Sequence, residues 1–257
     1  MTREIIGDHT LICADCFDAF GEIADRSVDM ILADLPYGTT QNTWDCALPL
    51  PDLWREFARL CGGAIVLTAI QPFASALVAS RPDAFRDEWI WEKNKASGHL
   101  NAKKKPMRAH ENVLVFSFGA LDYFPQMTEG HRPGNFARRV GWSSNYGAQV
   151  ETTYGGQTVR YPRTVQQFDV VNNDSADRAH PTQKPVDMMR YFIRTYTKPG
   201  DVVLDNTMGS GTTCVAAALE GRRSIGIERE RKYFDIAVDR VKAALIKADE
   251  PVQAVLL

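Results

Sequence analysis

Val202-Val203-Leu204-Asp205-Asn206-Thr207-Met208-Gly209-Ser210-Gly211-Thr212-Thr213 decides how this chain folds. The apolar run that ends in Asp205 shows no polar alternation, which predicts a parallel strand buried on both faces. A glycine-rich turn follows, and the small, aliphatic residues from Cys214 to Glu220 predict a helix behind it. Strand, loop and helix in that order make half of a doubly wound mononucleotide-binding fold, with its ligand at the carboxyl ends of the strands. Downstream, Ser224-Ile225-Gly226-Ile227-Glu228 predicts the next strand, again ending in an acid. A carboxylate at that distance from the glycine loop can accept hydrogen bonds from both ribose hydroxyls of a nucleotide cofactor. Three ligands compete for the loop. A phosphate-cradling loop needs Lys before its Ser/Thr, but Gly211 is followed by Thr212 and Thr213. A nicotinamide fingerprint wants a third glycine where Cys214 stands. An S-adenosylmethionine loop makes neither demand; it needs close backbone approach and an acid at the strand end, here Asp205.

Earlier in the chain, Val28-Asp29-Met30-Ile31-Leu32-Ala33 predicts a second buried strand, which runs into Asp34-Leu35-Pro36-Tyr37. Pro36 fixes its own φ and biases Leu35 toward an extended conformation, so backbone carbonyls point outward beside the Asp34 carboxylate. Tyr37 adds a π-face. Acceptors at an edge and a ring on a face suit an extruded nucleobase bearing an exocyclic amine, whose lone pair they would localise. A strand entering a tight turn before Gly38 is the plainer alternative.

Taken together, these residues resemble the beta-group amino DNA methyltransferases, bacterial and phage enzymes that methylate an exocyclic base nitrogen. The resemblance covers most of the chain. Asp34-Leu35-Pro36-Tyr37-Gly38 resembles the family's catalytic motif, His180-Pro181-Thr182-Gln183-Lys184-Pro185 its cofactor-binding segment, and Asp205 through Thr213 its cofactor loop. Two departures are visible: Leu35 stands where a first proline is common, and Asn206-Thr207 where Pro-Phe is common. The resemblance implies an α/β fold, a Rossmann-like S-adenosylmethionine-dependent methyltransferase sheet, circularly permuted and carrying an inserted target-recognition region. It implies S-adenosylmethionine as cofactor and duplex DNA as substrate. It leaves open a homodimer and a cognate restriction endonuclease as partners. By position it assigns catalysis to Asp34, Leu35, Pro36 and Tyr37, with cofactor contacts at Asp15, Lys184, Asp205, Thr207, Gly209, Gly211, Thr212 and Glu228. Asp15 would accept from the cofactor's adenine amine, Lys184 would meet its carboxylate, and Glu228 would hold the ribose. Each has a structural alternative: Asp15 as a helix N-cap, Lys184 as a surface cation, Glu228 as the acid opening the last helix. Adenine N6 is the expected target, because cytosine-N4 relatives usually carry serine where Asp34 stands.

Composition narrows the class further. The 257 residues are 44% hydrophobic, enough for one large core with a small insertion, and the formal charge is -2. Bulk charge therefore does not draw nucleic acid to the protein, but local charge can. Residues 93–108 hold Lys93, Lys95, Lys103, Lys104, Lys105 and Arg108 without an acid. This stripe is a candidate for phosphate contacts, or alternatively a solvated loop. Cys13-Ala14-Asp15-Cys16 has metal-ligand spacing, but no second pair or nearby histidine follows, so no metal is expected. No Pro-Cys pair is present for cytosine-C5 chemistry. No apolar run approaches the roughly 18 residues of a membrane span and no signal-like segment opens the chain, so a cytoplasmic, membrane-free protein is expected.

The expected order of elements is strand Thr10–Ala14, helix Phe17–Ile23, strand 28–33, helix Leu53–Leu60, strand Ala64–Thr68, helix Phe73–Val78 and strands Glu88–Glu92 and Val113–Phe118. From Gly119 to Asp177 periodicity dissolves, and a plain connector of that length is unexpected inside an α/β enzyme. The expected organisation is 1–118 as the catalytic half of the core, 119–177 as the target-recognition region and 178–257 as the cofactor half. Within the middle segment, Arg132, Arg138 and Arg139 join Lys103, Lys104, Lys105 and Arg108 as candidate DNA contacts. The polar run Gly38 to Trp44 is expected either to close over the base or to be an ordinary loop.

Overall fold

The computed structural model describes residues 1–38, 48–135, 137–143, 145, 147–171 and 183–249. Two compact units are present, one formed by Met1–Phe124 with Thr164–Leu257, the other by Pro125–Arg163. In chain order the elements are β1 (Thr2–Ile6), β2 (His9–Cys13), α1 (Cys16–Phe20), β3 (Val28–Asp34), α2 (Leu50–Leu60), β4 (Cys61–Ala69), α3 (Phe73–Ser80), β5 (Phe85–Ser97) and β6 (Arg108–Phe116). They continue with β7 (Ala137–Ser143), β8 (Gly147–Tyr154), β9 (Val165–Phe168), α4 (Val186–Tyr196), β10 (Val202–Asp205), α5 (Thr212–Leu219), β11 (Arg223–Glu228) and α6 (Arg231–Asp249).

The large unit is built on a sheet of order β1-β2-β11-β10-β3-β4-β6-β5-β9. Strands β2, β11, β10, β3 and β4 are mutually parallel, whereas β6 runs antiparallel to β4 and to β5. Parallel strands need helical crossovers, and these cover both faces. That explains why β3 reads as an unbroken apolar run. Ile31 and Ala33 point to a core shared with α1, α2 and α3. Met30 and Leu32 point to the opposite core, built with α4 and α5. Each fully buried Leu or Ile contributes about 1.5–3 kcal/mol relative to exposure. A third cluster packs α5 and α6 over Leu11 of β2.

The order of filling fixes where the site must lie. Strands β2 and β3 follow one another in the chain, yet β11 and β10 stand between them in the sheet, supplied by the C-terminal part of the sequence. From β10 the chain crosses to β11 on one side; from β3 it crosses to β4 on the other. The two crossovers diverge, leaving a crevice at the carboxyl ends of β10 and β3, the switch point at which such sheets bind ligands. Asp205 ends β10 and Asp34 ends β3.

Several elements differ from the sequence expectation. Strand β1 pairs antiparallel with β2 at the sheet edge, its first four residues exposed, so it lacks the apolar signal of its neighbours. Strands β5 and β6 are longer than their apolar centres, extending as a hairpin into polar residues at Ser97 and Arg108. The aperiodic middle contains a compact unit, Pro125–Arg163, with the antiparallel pair β7 and β8. Its C-terminal flank instead returns to the large sheet, where β9 pairs parallel with β5. No described helix is long and apolar enough to cross a membrane.

Candidate active site

A cavity of about 750 Å³ opens over the switch point. Eleven residues singled out as catalytic or cofactor-binding line it: Asp15, Asp34, Leu35, Pro36, Tyr37, Lys184, Asp205, Thr207, Gly209, Thr212 and Glu228. Gly211 does not. It caps α5 at φ +79°, and a Cβ there would lie 2.8 Å from the Ala237 Cβ of α6. Its lack of a side chain lets the loop pack on a helix.

At the cofactor loop, Asp205 is buried and accepts from the Thr207 backbone N–H at 3.0 Å. Burial pushes its carboxyl up to about 7, opposed by hydrogen bonds from Thr213 and Thr207 and reinforced by the charge of Asp34. Glu228 accepts from the Gly209 N–H at 2.9 Å and the Glu230 N–H at 2.7 Å, so one side chain clamps the glycine turn to the start of α6. Burial raises its carboxyl as well, against those two donors. Between these acids Asn206 is buried, and its side-chain amide nitrogen and oxygen have no hydrogen-bond partner among the described residues. Asp15 is the helix N-cap: one oxygen caps α1 by accepting from the Phe17 N–H at 2.9 Å, and the residue also lines the cavity. Cys16 lines the same wall, but burial, then Asp15, push its thiol up to about 11, so no thiolate is available for nucleophilic attack.

At the other end, three donors hold the Asp34 carboxylate. Its Oδ1 accepts from the Tyr37 hydroxyl at 2.6 Å and from the Thr68 hydroxyl. Its Oδ2 accepts from the Lys184 ammonium at 2.5 Å. Thr207 donates to the Asp34 backbone carbonyl at 3.1 Å, tying the cofactor loop to the end of β3. The Tyr37 ring lies beside Phe73, with centroids 5.3 Å apart, and Lys184 Nζ is 5.8 Å from its centroid. Burial and then the charge of Asp34 push the Tyr37 phenol well above its usual value, so it remains a donor. For Lys184, burial alone would depress the ammonium, but Asp34 and Glu111 outweigh it and hold its pKa well above normal. Lys184 therefore sits on the Asp34 carboxylate, across 150 residues of sequence, although its expected partner was the cofactor carboxylate.

Thr68, Glu111 and Lys93 were not singled out as site residues. Thr68 lies one residue before the end of β4, in register with Asp34, and a polar residue near the end of an apolar strand was the available signal. Glu111 bonds Lys93 at 2.5 Å, and both side chains are about nine-tenths buried. Lys93 thus leaves the basic stripe and belongs to the cavity wall. Of the candidate DNA contacts, Arg108 lies at the start of β6 and lines the cavity, whereas Lys103, Lys104 and Lys105 are exposed in the β5–β6 connection. Arg132 is exposed in the small unit, and Arg138 and Arg139 lie on β7, where only the backbone is described. His180, Pro181, Thr182 and the run from Thr39 to Trp44 fall outside the described residues.

A doubly wound sheet with strand-end acids around a switch-point cavity is the architecture of nucleotide-cofactor enzymes. The sequence then gives the family: the profile of the DNA methylases that act on base N6 and N4 matches residues 74–239, and the chain belongs to that family. It is similar to the type II methyltransferase M.HinfI of Haemophilus influenzae, 26% identical with 94% of this chain and 71% of that protein covered. To the type II methyltransferase M1.MboII of Moraxella bovis it is also 26% identical, with 87% and 92% covered. Among solved structures, the M1.HpyAVI-SAM complex superposes with a TM-score of 0.61 at 22% identity, covering 90% of this chain and 98% of that one. The cytosine-N4-specific PvuII DNA methyltransferase gives 0.63 at 15% identity, covering 93% and 90%. The fold is thus the Rossmann-like methyltransferase sheet.

Proposed function

We infer that this DNA methyltransferase transfers the methyl group of S-adenosylmethionine to the N6 amine of adenine in duplex DNA, at a specific site. The observation that carries the reading is Asp34 at the carboxyl end of β3, its carboxylate beside the Tyr37 ring on the cavity that Asp205 and Glu228 also line. The cavity suits the cofactor. The buried Asp205 and the partly buried Glu228 face a ligand with hydroxyls and a cationic end, and Asn206 offers a donor and an acceptor without a hydrogen-bond partner among the described residues. Glu228 would hold the ribose hydroxyls, Asp15 the adenine amine, and Asp205, Thr207, Gly209 and Thr212 the methionine part. When bound, S-adenosylmethionine supplies an electrophilic methyl group.

The protein's own task is to prepare the amine. An adenine leaves the duplex at a cost of roughly a few kcal/mol and stacks on Tyr37. Asp34 and the backbone carbonyl of Leu35 or Pro36 accept its two N6 hydrogens, concentrating the lone pair on nitrogen. Asp34 aligns the amine and receives the proton once methylation has made it acidic. Aspartate rather than serine at this position favours adenine over cytosine. Site choice resides in 119–177 and phosphate binding in Lys103, Lys104, Lys105 and Arg108, because base-edge contacts carry sequence information and phosphate contacts do not. The test is transfer of a labelled methyl group from S-adenosylmethionine to unmethylated duplex DNA, followed by digestion to nucleosides. Label in N6-methyladenine is expected; label in N4-methylcytosine, or none, overturns the reading.

A further inference from the structure

Most of the Asp34 carboxylate is already engaged before any substrate amine arrives. A carboxylate offers about four lone-pair sites. Tyr37 and Thr68 take two on Oδ1, and Lys184 takes one on Oδ2 at 2.5 Å. The ammonium is therefore a competitor for the oxygen an incoming amine would use. Moving it away without compensation would strand, in a poorly solvated site, a cation whose side chain is only 8% exposed.

A second acceptor is already in place. Glu111 Oε2 lies 3.5 Å from Lys184 Nζ, is fully buried, and has no hydrogen-bond partner among the described residues. Its sister oxygen is occupied by Lys93 at 2.5 Å. A buried carboxylate oxygen with an ion-pair contact but no hydrogen bond calls for an explanation.

The geometry points to a handover: Lys184 passes from Asp34 Oδ2 to Glu111 Oε2 when the base amine arrives, and Glu111 is the positioning residue that receives it. Lys93, Glu111, Lys184 and Asp34 form an alternating row of two cations and two anions. A shift of the Lys184 ammonium along this row leaves the net charge of the wall unchanged, and no covalent bond or proton transfer is involved. In the ligand-free protein Lys184 occupies Asp34 Oδ2; with a base bound it stands on Glu111 and Asp34 Oδ2 is open. The inference rests on Asp34 as the acceptor of the base amine.

The test is a double-mutant cycle in single-turnover methyl transfer, using saturating S-adenosylmethionine and a duplex oligonucleotide carrying the site mapped by sequencing. Glu111→Gln should lower the melting temperature, because Lys93 loses its partner, and at a temperature where the variant is folded it should slow transfer by about tenfold or more while the cofactor Kd stays close to wild type. In a Lys184→Gln background the same change should cost less than about threefold, because no ammonium remains to be received. Full multiplication of the two losses, or a Glu111→Gln rate within about twofold of wild type, overturns the handover. A second measurement needs no turnover. The 15Nζ resonance of Lys184, assigned from its loss in Lys184→Gln, should move when that duplex and S-adenosylhomocysteine are added, and should not move in Glu111→Gln. An unmoved wild-type signal sinks the handover alone, whereas wild-type enzyme that places no methyl on adenine sinks the reading beneath it.

Discussion

Replacing Asp205 with asparagine should make the ligand-free protein more stable at neutral pH and change the shape of its pH dependence. Asp205 is 4% exposed, and burial raises its carboxyl from 3.8 to about 7. A carboxyl whose folded pKa lies above its unfolded value favours folding only while protonated. Its contribution is complete below about pH 4 and is lost as pH rises through about 7. At 1.36 kcal/mol per pKa unit, a separation of about three units corresponds to at most about 4 kcal/mol. Asparagine keeps the shape and can still accept from the Thr207 N–H, but it carries no charge. Urea unfolding of the ligand-free wild type and Asp205→Asn should be compared from pH 4 to 8, so that titrations common to both cancel in the difference. The variant should gain on the wild type with rising pH, by a few kcal/mol at pH 8, or roughly 5–15 °C in Tm for a domain of this size. A difference that stays constant across that range would show that the Asp205 carboxylate is stabilised by something other than a ligand, and the account of the cofactor cavity would fail there.

Asp34→Ala should lower turnover by on the order of 10²-fold or more with little change in cofactor affinity; calorimetry showing affinity collapsing in step with rate would make Asp34 a binding residue. Gly211→Ala should destabilise by about 1–3 kcal/mol, since its φ of +79° and the 2.8 Å approach to Ala237 both resist a Cβ; a denaturation midpoint unchanged from wild type would refute the packing argument. Replacing Lys103, Lys104 and Lys105 together with glutamine should weaken binding to all duplexes alike and reduce the slope of log K against log salt by roughly 0.9 per lost contact, leaving the methylated site unchanged. An unaltered slope would mean that these lysines never meet phosphate.

The parts of the fold legible in the sequence are those where burial on both faces leaves an uninterrupted apolar run. Strands β3, β4 and β10 were readable for that reason, and Asp34 and Asp205 stood out as the acids that stop them. Strand β1 was missed because an edge strand with one covered side has no such run. The pair β7 and β8 sits in a segment of polar, glycine-rich residues with no alternation to betray it. At the site, the residues next to strand ends and Lys184 were singled out from sequence, but the pairing of Asp34 with Thr68 and Lys184 was not. Asp34 meets Thr68 and Lys184 only because parallel strands and α4 bring distant segments to one crevice. Lys93 shows the same limit from the other side: in sequence it belongs to a basic stripe, and only the fold reveals Glu111 beside it.

Sequencing modified bases in DNA from methylation-free cells that express either the wild-type chain or Asp34→Ala reads the base, the site and the dependence on Asp34 at once. N6-methyladenine at one recurring sequence is expected in the wild-type DNA, and its near absence with the variant. Modified cytosine, modification scattered without a common site, or equal adenine methylation by both proteins would contradict this expectation.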